Sequence, residues 1–345
     1  MHWPLFAFAY LSYLGDVPTV VKVILIVSSI LLGYIQFRYI ETPFRIGIFK
    51  NLFSSWKVTV TATVFLLAIP VTTAYNSTDT EDEFSYVRRI NIGIGEKCRG
   101  TFDENGELKS ACILDRKPKI VIWGDSYAMH LVPGLSLKNK SLAQITKSVC
   151  GPIMGIAPII GKYDSVWAKS CLEFNDLALD TIKAHPSITH VVLSANFSNY
   201  LKSGQFNYLT HEGLTEASYR LFINAFQNTI LELKKLGIVP VIFSPLPQTG
   251  FNVGECLERM FSSALLLREN CNINYNEAQK YQNIVITSLK EIENIADIVW
   301  LKDYLCKEQE CLAEINGTFI YRDKGHLSID GSIMLLKNIN INDFE

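Results

Sequence analysis

Two short segments, about two hundred residues apart, carry side chains whose types and spacing could form an acyl-transfer site. Ser126 ends a Gly-Asp-Ser turn directly after the apolar run 120–123, and Asp323 stands three residues before His326. A serine between a strand and a helix exposes its hydroxyl, and a nearby histidine can take the proton of that hydroxyl. An aspartate beside the histidine orients the imidazole. The pattern therefore predicts Ser126 as nucleophile, His326 as general base and Asp323 as the partner of the histidine.

Acyl transfer also needs hydrogen-bond donors for the oxyanion of the tetrahedral intermediate, and three positions could supply them. The first is the backbone N–H of Ser126. The second is the N–H of Gly151, which follows the apolar run 142–146, because glycine lets a ligand approach the backbone closely. The third is the Asn196 side chain, at the end of another apolar run. All these residue types are also common in plain turns and helix caps, and that interpretation stays open.

The elements that must position these residues alternate between the spacing of strands and that of helices. Strands are predicted at 119–123, 142–146, 190–195, 239–243 and 297–301, and helices after Ser126 and at 173–184, 216–236, 275–295 and 328–338. Such alternation is typical of a parallel α/β sheet with helices on both faces. Ligands of these sheets bind at the carboxyl ends of the strands, which is where Ser126 and Asn196 fall.

The first 75 residues differ from the rest because they are strongly apolar. Residues 17–37 and 58–75 are each close to the roughly 20 residues of a helix that crosses a bilayer, and residues 2–14 form a shorter apolar segment. The connection between the two long stretches has four basic residues and one acid, so we expect it on the cytoplasmic side. Buried helices of a soluble domain are the alternative. A cleaved leader is disfavoured because no basic segment precedes the apolar run.

All 8 cysteines lie after residue 75, which is typical of disulfides in an oxidising compartment. Eight cysteines allow about a hundred pairings. Pairing in sequence order would join Cys98 to Cys112, Cys150 to Cys171, Cys256 to Cys271 and Cys306 to Cys311. A zinc site is the rival, but no Cys-x-x-Cys pair or Cys/His cluster supports it. The formal net charge of −2 gives no sign of a nucleic-acid binder.

Taken together, these segments resemble the SGNH hydrolases, and in particular the branch fused to membrane acyltransferases of the acyltransferase-3 family. The Gly-Asp-Ser turn at Ser126, the Cys-Gly-Pro segment at Gly151 and the Asp-Lys-Gly-His ending at His326 carry the resemblance. The opening His2-Trp-Pro is similar to an aromatic motif of the membrane domain. The Glu-Thr-Pro-Phe-Arg segment from Glu41 is similar to the one that closes that domain.

The resemblance implies a flavodoxin-like SGNH-hydrolase sheet, preceded by two to three transmembrane helices. It divides the chain into a truncated membrane domain with the final transmembrane helix at 1–75, a periplasmic linker with a cysteine pair at 76–117 and the SGNH domain at 118–345. Tyr127 departs from the family, which often has histidine there. Asn196-Phe197 stands where this branch often has Arg-Trp, and the asparagine is closer to the general SGNH pattern.

The implied function is O-acetyl transfer to a sugar hydroxyl of a bacterial surface polysaccharide, such as lipopolysaccharide O-antigen, through an acyl-serine at Ser126. The domain would lie in the periplasm and be anchored in the inner membrane. No bound cofactor or metal is implied, and acetyl-CoA would be the indirect donor. The implied partners are the polysaccharide, the membrane and a separately encoded acyltransferase-3 membrane domain, with no nucleic acid.

The family's membrane domain has many more helices than this chain, which opens inside its aromatic motif. We therefore expect a truncated reading frame or the second half of a split acyltransferase. Two other functions stay open. One is a periplasmic carbohydrate O-acetyl esterase, in which water takes the acetyl group. The other is an inactive remnant or a glycan-binding module.

Overall fold

A computed structural model describes residues 2–14, 17–47, 60, 64, 81–201, 206–261 and 270–344. The chain divides into two compact units. The first comprises Met1–Tyr86 with Glu258–Asn270, and the second comprises Val87–Leu257 with Cys271–Glu345. Every residue that the sequence assigns to the site belongs to the second unit.

Helices and strands alternate along most of the second unit. The α-helices of the described residues are α1 His2–Ser12, α2 Thr19–Gln36, α3 Thr42–Arg45, α4 Glu81–Val87, α5 Ser126–Met129, α6 Val132–Lys138, α7 Ser165–Ala184, α8 Tyr219–Lys235, α9 Val253–Phe261, α10 Tyr275–Tyr281, α11 Asn283–Ile292, α12 Lys302–Leu305 and α13 Ile329–Leu336. The strands are β1 Ile120–Gly124, β2 Leu142–Thr146, β3 Ala157–Ile159, β4 His190–Ser194, β5 Asn207–Thr210, β6 Gly213–Glu216, β7 Val239–Phe243, β8 Ile273–Asn274, β9 Asp297–Val299, β10 Cys306–Lys307, β11 Glu310–Cys311, β12 Glu314–Ile315 and β13 Thr318–Phe319.

Five parallel strands form the central sheet of the second unit, in the order β2-β1-β4-β7-β9. The predicted α/β fold with a parallel sheet is therefore confirmed. The chain adds β2 on one side of β1 and β4 on the other, so the order reverses at β1. In this register Gly124 lies opposite both Thr146 and Ser194, which places three carboxyl ends level with one another. A reversal point of this kind is where ligands bind in such sheets.

One face of the sheet carries the main apolar core, between the strands and helices α7, α8 and α11. Val121 and Trp123 project into it from β1, because alternate residues of a strand point to opposite faces. Helix α8 buries Phe222, Phe226 and Leu233 at helical spacing, and each such side chain contributes roughly 1.5–3 kcal/mol over its exposed state. Packing in this core thus fixes the positions of the strands whose ends carry the site.

Helices α6 and α13 pack against each other beside the remaining buried side chains of β1. Their backbones approach so closely at Gly134 that a Cβ there would stand 2.1 Å from the carbonyl oxygen of Ser332. The Gly134 N–H also donates to Ser332 Oγ at 3.1 Å. Helix α13 follows the segment that contains His326, and α6 follows α5, which begins at Ser126. This contact therefore links the segment of the histidine to the segment of the serine.

Three predicted helices have different limits in the structure. The predicted helix at 275–295 is two helices, because the backbone at Gln282 departs from helical geometry, with φ of −103° and ψ of 14°. The side chain of Gln282 bonds to the backbone of Leu246 and Gln248 at 3.0 Å. The predicted helix at 216–236 begins at Tyr219, since Ser218 caps it after β6. Helix α7 begins before the predicted 173, at a cap that Asp164 provides.

Small antiparallel elements and the segment before the sheet are further differences. Strands β3, β5 and β6 form a second sheet, and β10, β11 and β8 form a third. The segment predicted as a linker joins the second unit from Val87 onward. Thr101 Oγ1 donates to the carbonyl of Thr146 at 2.8 Å, and Leu114 N–H donates to the carbonyl of Leu142 at 2.8 Å. This segment therefore lines the edge strand β2.

Among the described residues of the first unit, one helix is long and apolar enough to cross a membrane. Thr19–Tyr39 has 21 residues with a mean hydropathy of 2.1, and none of it is buried within the chain. It coincides with the apolar stretch predicted at 17–37, and Thr42 Oγ1 donates to the carbonyl of Phe37 where the helix passes into α3. The second predicted stretch, 58–75, lies outside the described residues except for Val60 and Val64.

All eight cysteines form disulfides, and the pairing in sequence order is confirmed. Cys98–Cys112 closes the segment that lines β2. Cys150–Cys171 ties the turn after β2 to helix α7. A disulfide typically contributes about 2–4 kcal/mol by restricting the unfolded chain. Two of the four bridges thus hold the surroundings of the carboxyl end of β2.

Candidate active site

Ser126 stands at the end of β1, where a close backbone approach fixes the chain. A Cβ on Gly124 would lie 1.9 Å from the carbonyl oxygen of Ser194 on the neighbouring strand, so only glycine fits there. Asp125 then caps α5 by accepting the Tyr127 N–H at 2.8 Å. Ser126 is the first residue of that helix and is half-buried. The turn therefore presents its hydroxyl at the sheet edge, as the sequence predicts.

The Asp125 carboxylate is completely buried and connects the ends of two strands. One oxygen accepts the Tyr127 N–H, and the other accepts the Asn196 N–H at 3.0 Å. Burial raises the pKa of Asp125 to about 6, against the lowering effect of these two hydrogen bonds and of the nearby His326. Asp125 thus joins the serine turn to the turn after β4 through backbone donors alone.

His326 reaches Ser126 across the site, and Asp323 holds its far side. The distance from Ser126 Oγ to His326 Nε2 is 2.8 Å. His326 Nδ1 lies 3.0 Å from both oxygens of Asp323. Because an ionised carboxylate only accepts hydrogen bonds, Nδ1 carries the proton and Nε2 is free to accept the hydroxyl of the serine. The structure thus joins the three predicted residues in one hydrogen-bonded chain.

The loop that carries Asp323 is closed around its carboxylate. The N–H groups of Gly325 and His326 both donate to Oδ1 at 3.0 Å, and Arg322 donates to Oδ2 through Nε at 3.0 Å and Nη2 at 2.7 Å. Burial alone would raise the pKa of Asp323. The hydrogen bond and charge of His326, with Gly325 and Arg322, outweigh it and hold that pKa well below its usual range. This aspartate therefore stays ionised.

Two rings pack around the imidazole of His326. The Tyr127 ring centroid lies 4.7 Å away, and the Tyr127 hydroxyl accepts a hydrogen bond from Gln248 at 3.1 Å. His130 stands edge-on at 5.9 Å, and its Nδ1 accepts the Leu327 N–H at 3.1 Å. Burial, with His326 next to it, lowers the pKa of His130 well below its ordinary value. His130 is therefore a neutral packing partner of the loop.

The two predicted oxyanion donors other than Ser126 are Asn196 and Gly151, and their hydrogen bonds in the structure differ. Asn196 is half-buried after β4, and its Oδ1 accepts the Ser198 hydroxyl at 2.5 Å. The Gly151 N–H donates to the hydroxyl of Tyr200 at 2.9 Å in a buried position, so it is engaged within the fold. The expectation that this N–H binds an oxyanion is therefore wrong for the observed arrangement.

Val149 is a residue that the sequence analysis missed. It lies in the turn after β2 with φ of +68°, a conformation that branched side chains rarely adopt. Lys147 N–H donates to the carbonyl of Gly124, which holds this turn against the serine turn. Within the described part of the chain, the N–H groups of Ser126 and Val149 bond to no acceptor. No local motif signals this turn, because a glycine would be the usual mark of positive φ.

Ser126 and His326 open into a cavity of about 820 Å³. Its walls come from five parts of the second unit: the segment before the sheet, helix α5, strand β2 with the turn after it, helix α7 with Tyr163 before it, and the histidine loop. The residues that line it are Ile90, Asn91, Ile92, Cys98, Arg99, Gly100, Phe102, Ser126, Met129, Gln144, Thr146, Lys147, Ser148, Val149, Tyr163, Trp167, Ser170, Glu173, Phe174, Leu177, Arg322 and His326. Among the described residues no cluster of three or more His, Cys, Asp or Glu side chains could hold a metal ion. The cavity can thus present a substrate to a serine–histidine–aspartate chain.

Comparison with known proteins agrees with this fold. Residues 97–339 match the family model described as "SGNH domain (fused to AT3 domains)". The fold is similar to the periplasmic domain of a lipopolysaccharide acetyltransferase from Salmonella ser. Paratyphi A, with 20% identity, a TM-score of 0.50 and coverage of 75% of this chain and 94% of that one. The OSK domain of Drosophila Oskar is more remote, with 8% identity, a TM-score of 0.31 and coverage of 70% and 96%. No curated protein matches the sequence.

Proposed function

This chain belongs to the family of SGNH domains fused to AT3 domains, and we propose that it transfers an acetyl group to a sugar hydroxyl of a bacterial surface polysaccharide. Lipopolysaccharide O-antigen is the acceptor class we favour. The observation that carries the proposal is the unbroken chain of hydrogen bonds from Asp323 through His326 to Ser126. Such a chain is the arrangement that activates a serine for acyl chemistry.

In the first half-reaction Ser126 Oγ attacks the carbonyl carbon of the acetyl donor. The hydroxyl proton passes to His326 Nε2, and ionised Asp323 stabilises the imidazolium through Nδ1. The carbonyl oxygen becomes an oxyanion, for which we assign the N–H groups of Ser126 and Val149 and the side-chain amide of Asn196 as donors. Collapse of the intermediate breaks the bond to the donor, and the leaving group takes the proton from His326.

In the second half-reaction a sugar hydroxyl replaces the donor in the cavity. His326 takes the proton of that hydroxyl as its oxygen attacks the acetyl carbon on Ser126. The same donors stabilise the second oxyanion. Collapse releases Ser126 Oγ, which recovers its proton from His326, and the acetylated sugar leaves.

An esterase that removes acetyl groups from a carbohydrate is the second candidate. Water can follow the same path as the sugar hydroxyl, and the His326 and Asp323 side chains remain 23% and 28% exposed in the open cavity. The site itself therefore supports both acceptors. What decides between them is whether a bound glycan excludes water from the acyl-serine.

We further propose that the domain faces the periplasm and that Thr19–Tyr39 anchors it in the inner membrane. The length and apolar composition of this helix support an anchor. Acetyl-CoA would then be the indirect donor, and a separately encoded AT3 membrane domain would pass the acetyl group across. Protease treatment of intact spheroplasts tests the topology. Digestion of the second unit is expected, and its protection would contradict the proposal.

Replacement of the nucleophile tests the function directly. In cells that depend on this chain for acetylation, Ser126→Ala should abolish O-acetyl groups on the surface polysaccharide, as measured by mass spectrometry of the released glycan. The control is Ser187→Ala. Ser187 lies just before the amino end of β4, and its Oγ donates a hydrogen bond to the carbonyl of Pro118. Full acetylation with Ser126→Ala would contradict the proposal.

A purified full chain separates transfer from hydrolysis. We expect p-nitrophenyl acetate to acetylate an alkali-deacetylated O-polysaccharide in the presence of the unaltered chain and not with Ser126→Ala. Release of acetate without any acetylated glycan would favour the esterase. Absence of both products, with no labelling by a serine-reactive phosphonate, would favour an inactive remnant or binding module.

A further inference from the structure

One face of helix α7 forms the wall of the cavity away from the catalytic chain. The cavity-lining residues of this helix are Trp167, Ser170, Glu173, Phe174 and Leu177. They recur at intervals of three and four residues, so they form one continuous stripe along the helix. The same stripe is apolar at most positions, and Phe102 packs on Phe174 with ring centroids 5.4 Å apart. The cavity therefore offers a long aromatic wall as well as a reactive serine.

Two aromatic rings at the start of this wall contact each other, and backbone hydrogen bonds fix the residues that carry them. The rings of Tyr163 and Trp167 lie 4.8 Å apart and tilted by 59°. Tyr163 exchanges two backbone hydrogen bonds with Ile160, at 2.9 and 3.0 Å, and Asp164 accepts the Trp167 N–H at 3.0 Å. A surface that is already ordered loses little entropy on binding. Both rings are half-buried and reach the cavity.

Polar groups line the same cavity as the aromatic rings and the serine. Lys147 Nζ bonds to the carbonyl of Ser170 at 2.8 Å and lies 5.8 Å from the centroid of the Phe174 ring. Glu173 provides carboxylate oxygens on the same stripe, and Arg99 provides donors from the facing segment. Apolar faces bordered by hydrogen-bonding groups suit a ring whose two faces are C–H groups and whose edge is hydroxyls. A pyranose has this character.

We propose that this wall is a glycan subsite in which a sugar ring of the acceptor stacks on Trp167 and Tyr163 while a neighbouring sugar presents its hydroxyl to Ser126. The subsite rests on the proposed function, because it takes the acceptor to be a polysaccharide. A cavity of about 820 Å³ is large among the roughly 300–1,000 Å³ sites of small ligands, and it exceeds what one sugar ring fills. The site therefore recognises at least two consecutive sugars.

Binding without turnover tests the subsite separately from the reaction. The full chain carrying Ser126→Ala is titrated with alkali-deacetylated O-polysaccharide in an isothermal calorimeter. Adding Trp167→Ala or Tyr163→Ala should raise the Kd about tenfold, the change expected when a stacked ring loses its aromatic face. Trp167→Phe should retain most of the affinity. Tyr304→Ala removes an aromatic ring that is 46% exposed and outside the cavity, and it should leave the Kd unchanged.

The outcomes distinguish this inference from the proposed function. Absence of glycan binding, or a Kd that Trp167→Ala leaves unchanged, overturns the subsite. A turnover assay on the chain with intact Ser126 gives the other comparison. If Trp167→Ala lowers the hydrolysis of p-nitrophenyl acetate as much as glycan transfer, the wall serves the acyl donor or the fold, and the subsite is again overturned. Failure of the proposed function would instead appear as glycan that binds through Trp167 and is never acetylated.

Discussion

Two aspartates of the site have pKa values shifted in opposite directions, although their side chains carry the same chemical group. Asp125 is completely buried and accepts two backbone N–H groups, with no cation among its hydrogen-bond partners in the described part of the chain. Asp323 is partly exposed and accepts bonds from an arginine, two backbone N–H groups and the imidazole of His326. Burial dominates at the first and raises its pKa to about 6. Hydrogen bonds and charge dominate at the second and lower its pKa.

This difference separates a positioning residue from a catalytic one. Asp125 needs its two oxygens as acceptors for the backbone of Tyr127 and Asn196, and it makes no hydrogen bond to Ser126 Oγ or to the imidazole of His326. Asp323 needs its charge, because the imidazole beside it becomes positive during each half of the proposed reaction. Replacement by asparagine keeps the size and removes the charge. At Asp125 it also exchanges one acceptor oxygen for an NH2 group that would face a backbone N–H, so that variant loses a hydrogen bond as well as a charge. The reaction rates of the two folded variants should distinguish the two roles.

The largest expected effect is on the rate. Asp323→Asn should lower kcat/KM for p-nitrophenyl acetate by about 10⁴-fold, because an amide can hold the wrong tautomer of the imidazole. Asp125→Asn should lower it by less than about tenfold, since only the positions of two backbone turns change. Initial rates of the purified full chain measure both values. Equal losses in the two variants would contradict the division of roles.

The next effect concerns the pH dependence of stability. The folded pKa of Asp125, about 6, is above its ordinary value of 3.8, so the folded chain holds a proton there that the unfolded chain has released. The free energy of unfolding should therefore fall as pH rises from about 3 to 7, through the unfolded and then the folded pKa, by up to about 3 kcal/mol from this group. Asp125→Asn should remove that slope. Urea unfolding at several pH values measures it, and an unchanged slope would contradict the burial argument.

Asp323 should contribute to stability with the opposite sign. Its folded pKa is below the ordinary value, so its contribution is present above about pH 4 and is lost as pH falls through the folded pKa. The same unfolding series run on Asp323→Asn, at pH values below 4, should show less acid sensitivity than the unaltered chain. Greater acid sensitivity would mean that the hydrogen bonds around Asp323 do not favour its charged form.

A smaller effect is expected at the cation beside Asp323. Arg322 is 14% exposed and bonds to Oδ2. Arg322→Gln should lower kcat/KM by about tenfold, because the two bonds to Oδ2 that hold the Asp323 carboxylate beside the imidazole are lost. The bonds from His326 and Gly325 remain and keep Asp323 ionised, so the loss should be the same from pH 4 to 8. A loss that increases toward acid would mean that Arg322 is needed to keep Asp323 ionised.

The smallest effect is expected from the ring that packs on His326. Tyr127→Phe keeps the ring and removes the hydroxyl that accepts the Gln248 amide. The free energy of unfolding should fall by about 1 kcal/mol, the usual worth of one hydrogen bond. Thermal unfolding measures the change. A fall several times larger would mean that the hydroxyl supports more of the histidine loop than this single contact.

The sequence was sufficient for the parts of the site that depend on neighbouring residues. The Gly-Asp-Ser turn follows a strand whose apolar run is plain, and Asp323 lies close enough to His326 for one turn to join them. In these cases the residues that decide the geometry lie next to each other. The cysteines after residue 75 indicated disulfides, but the pairing in sequence order was only one of about a hundred that the sequence left open.

The features that the sequence did not predict depend on contacts between residues far apart in the chain. The hydroxyl of Tyr200, 49 residues later in the chain, accepts the Gly151 N–H. The sequence around Gly151 could therefore not indicate that this N–H is bonded within the fold. Val149 adopts positive φ because the turn is held against Gly124, which its own side chain would not suggest. The segment from Val87 packs along β2 through single hydrogen bonds, and its polar composition resembles that of a linker.

The central claim is that Ser126 carries the acetyl group, and trapping the acyl-enzyme tests it most directly. The full chain is mixed with p-nitrophenyl acetate, quenched with acid within milliseconds and digested for mass spectrometry. One acetyl group should appear on the peptide that contains Ser126, and it should be absent from the His326→Ala chain. Acetyl transfer to the glycan with no acetyl on Ser126 at any quench time would contradict the account.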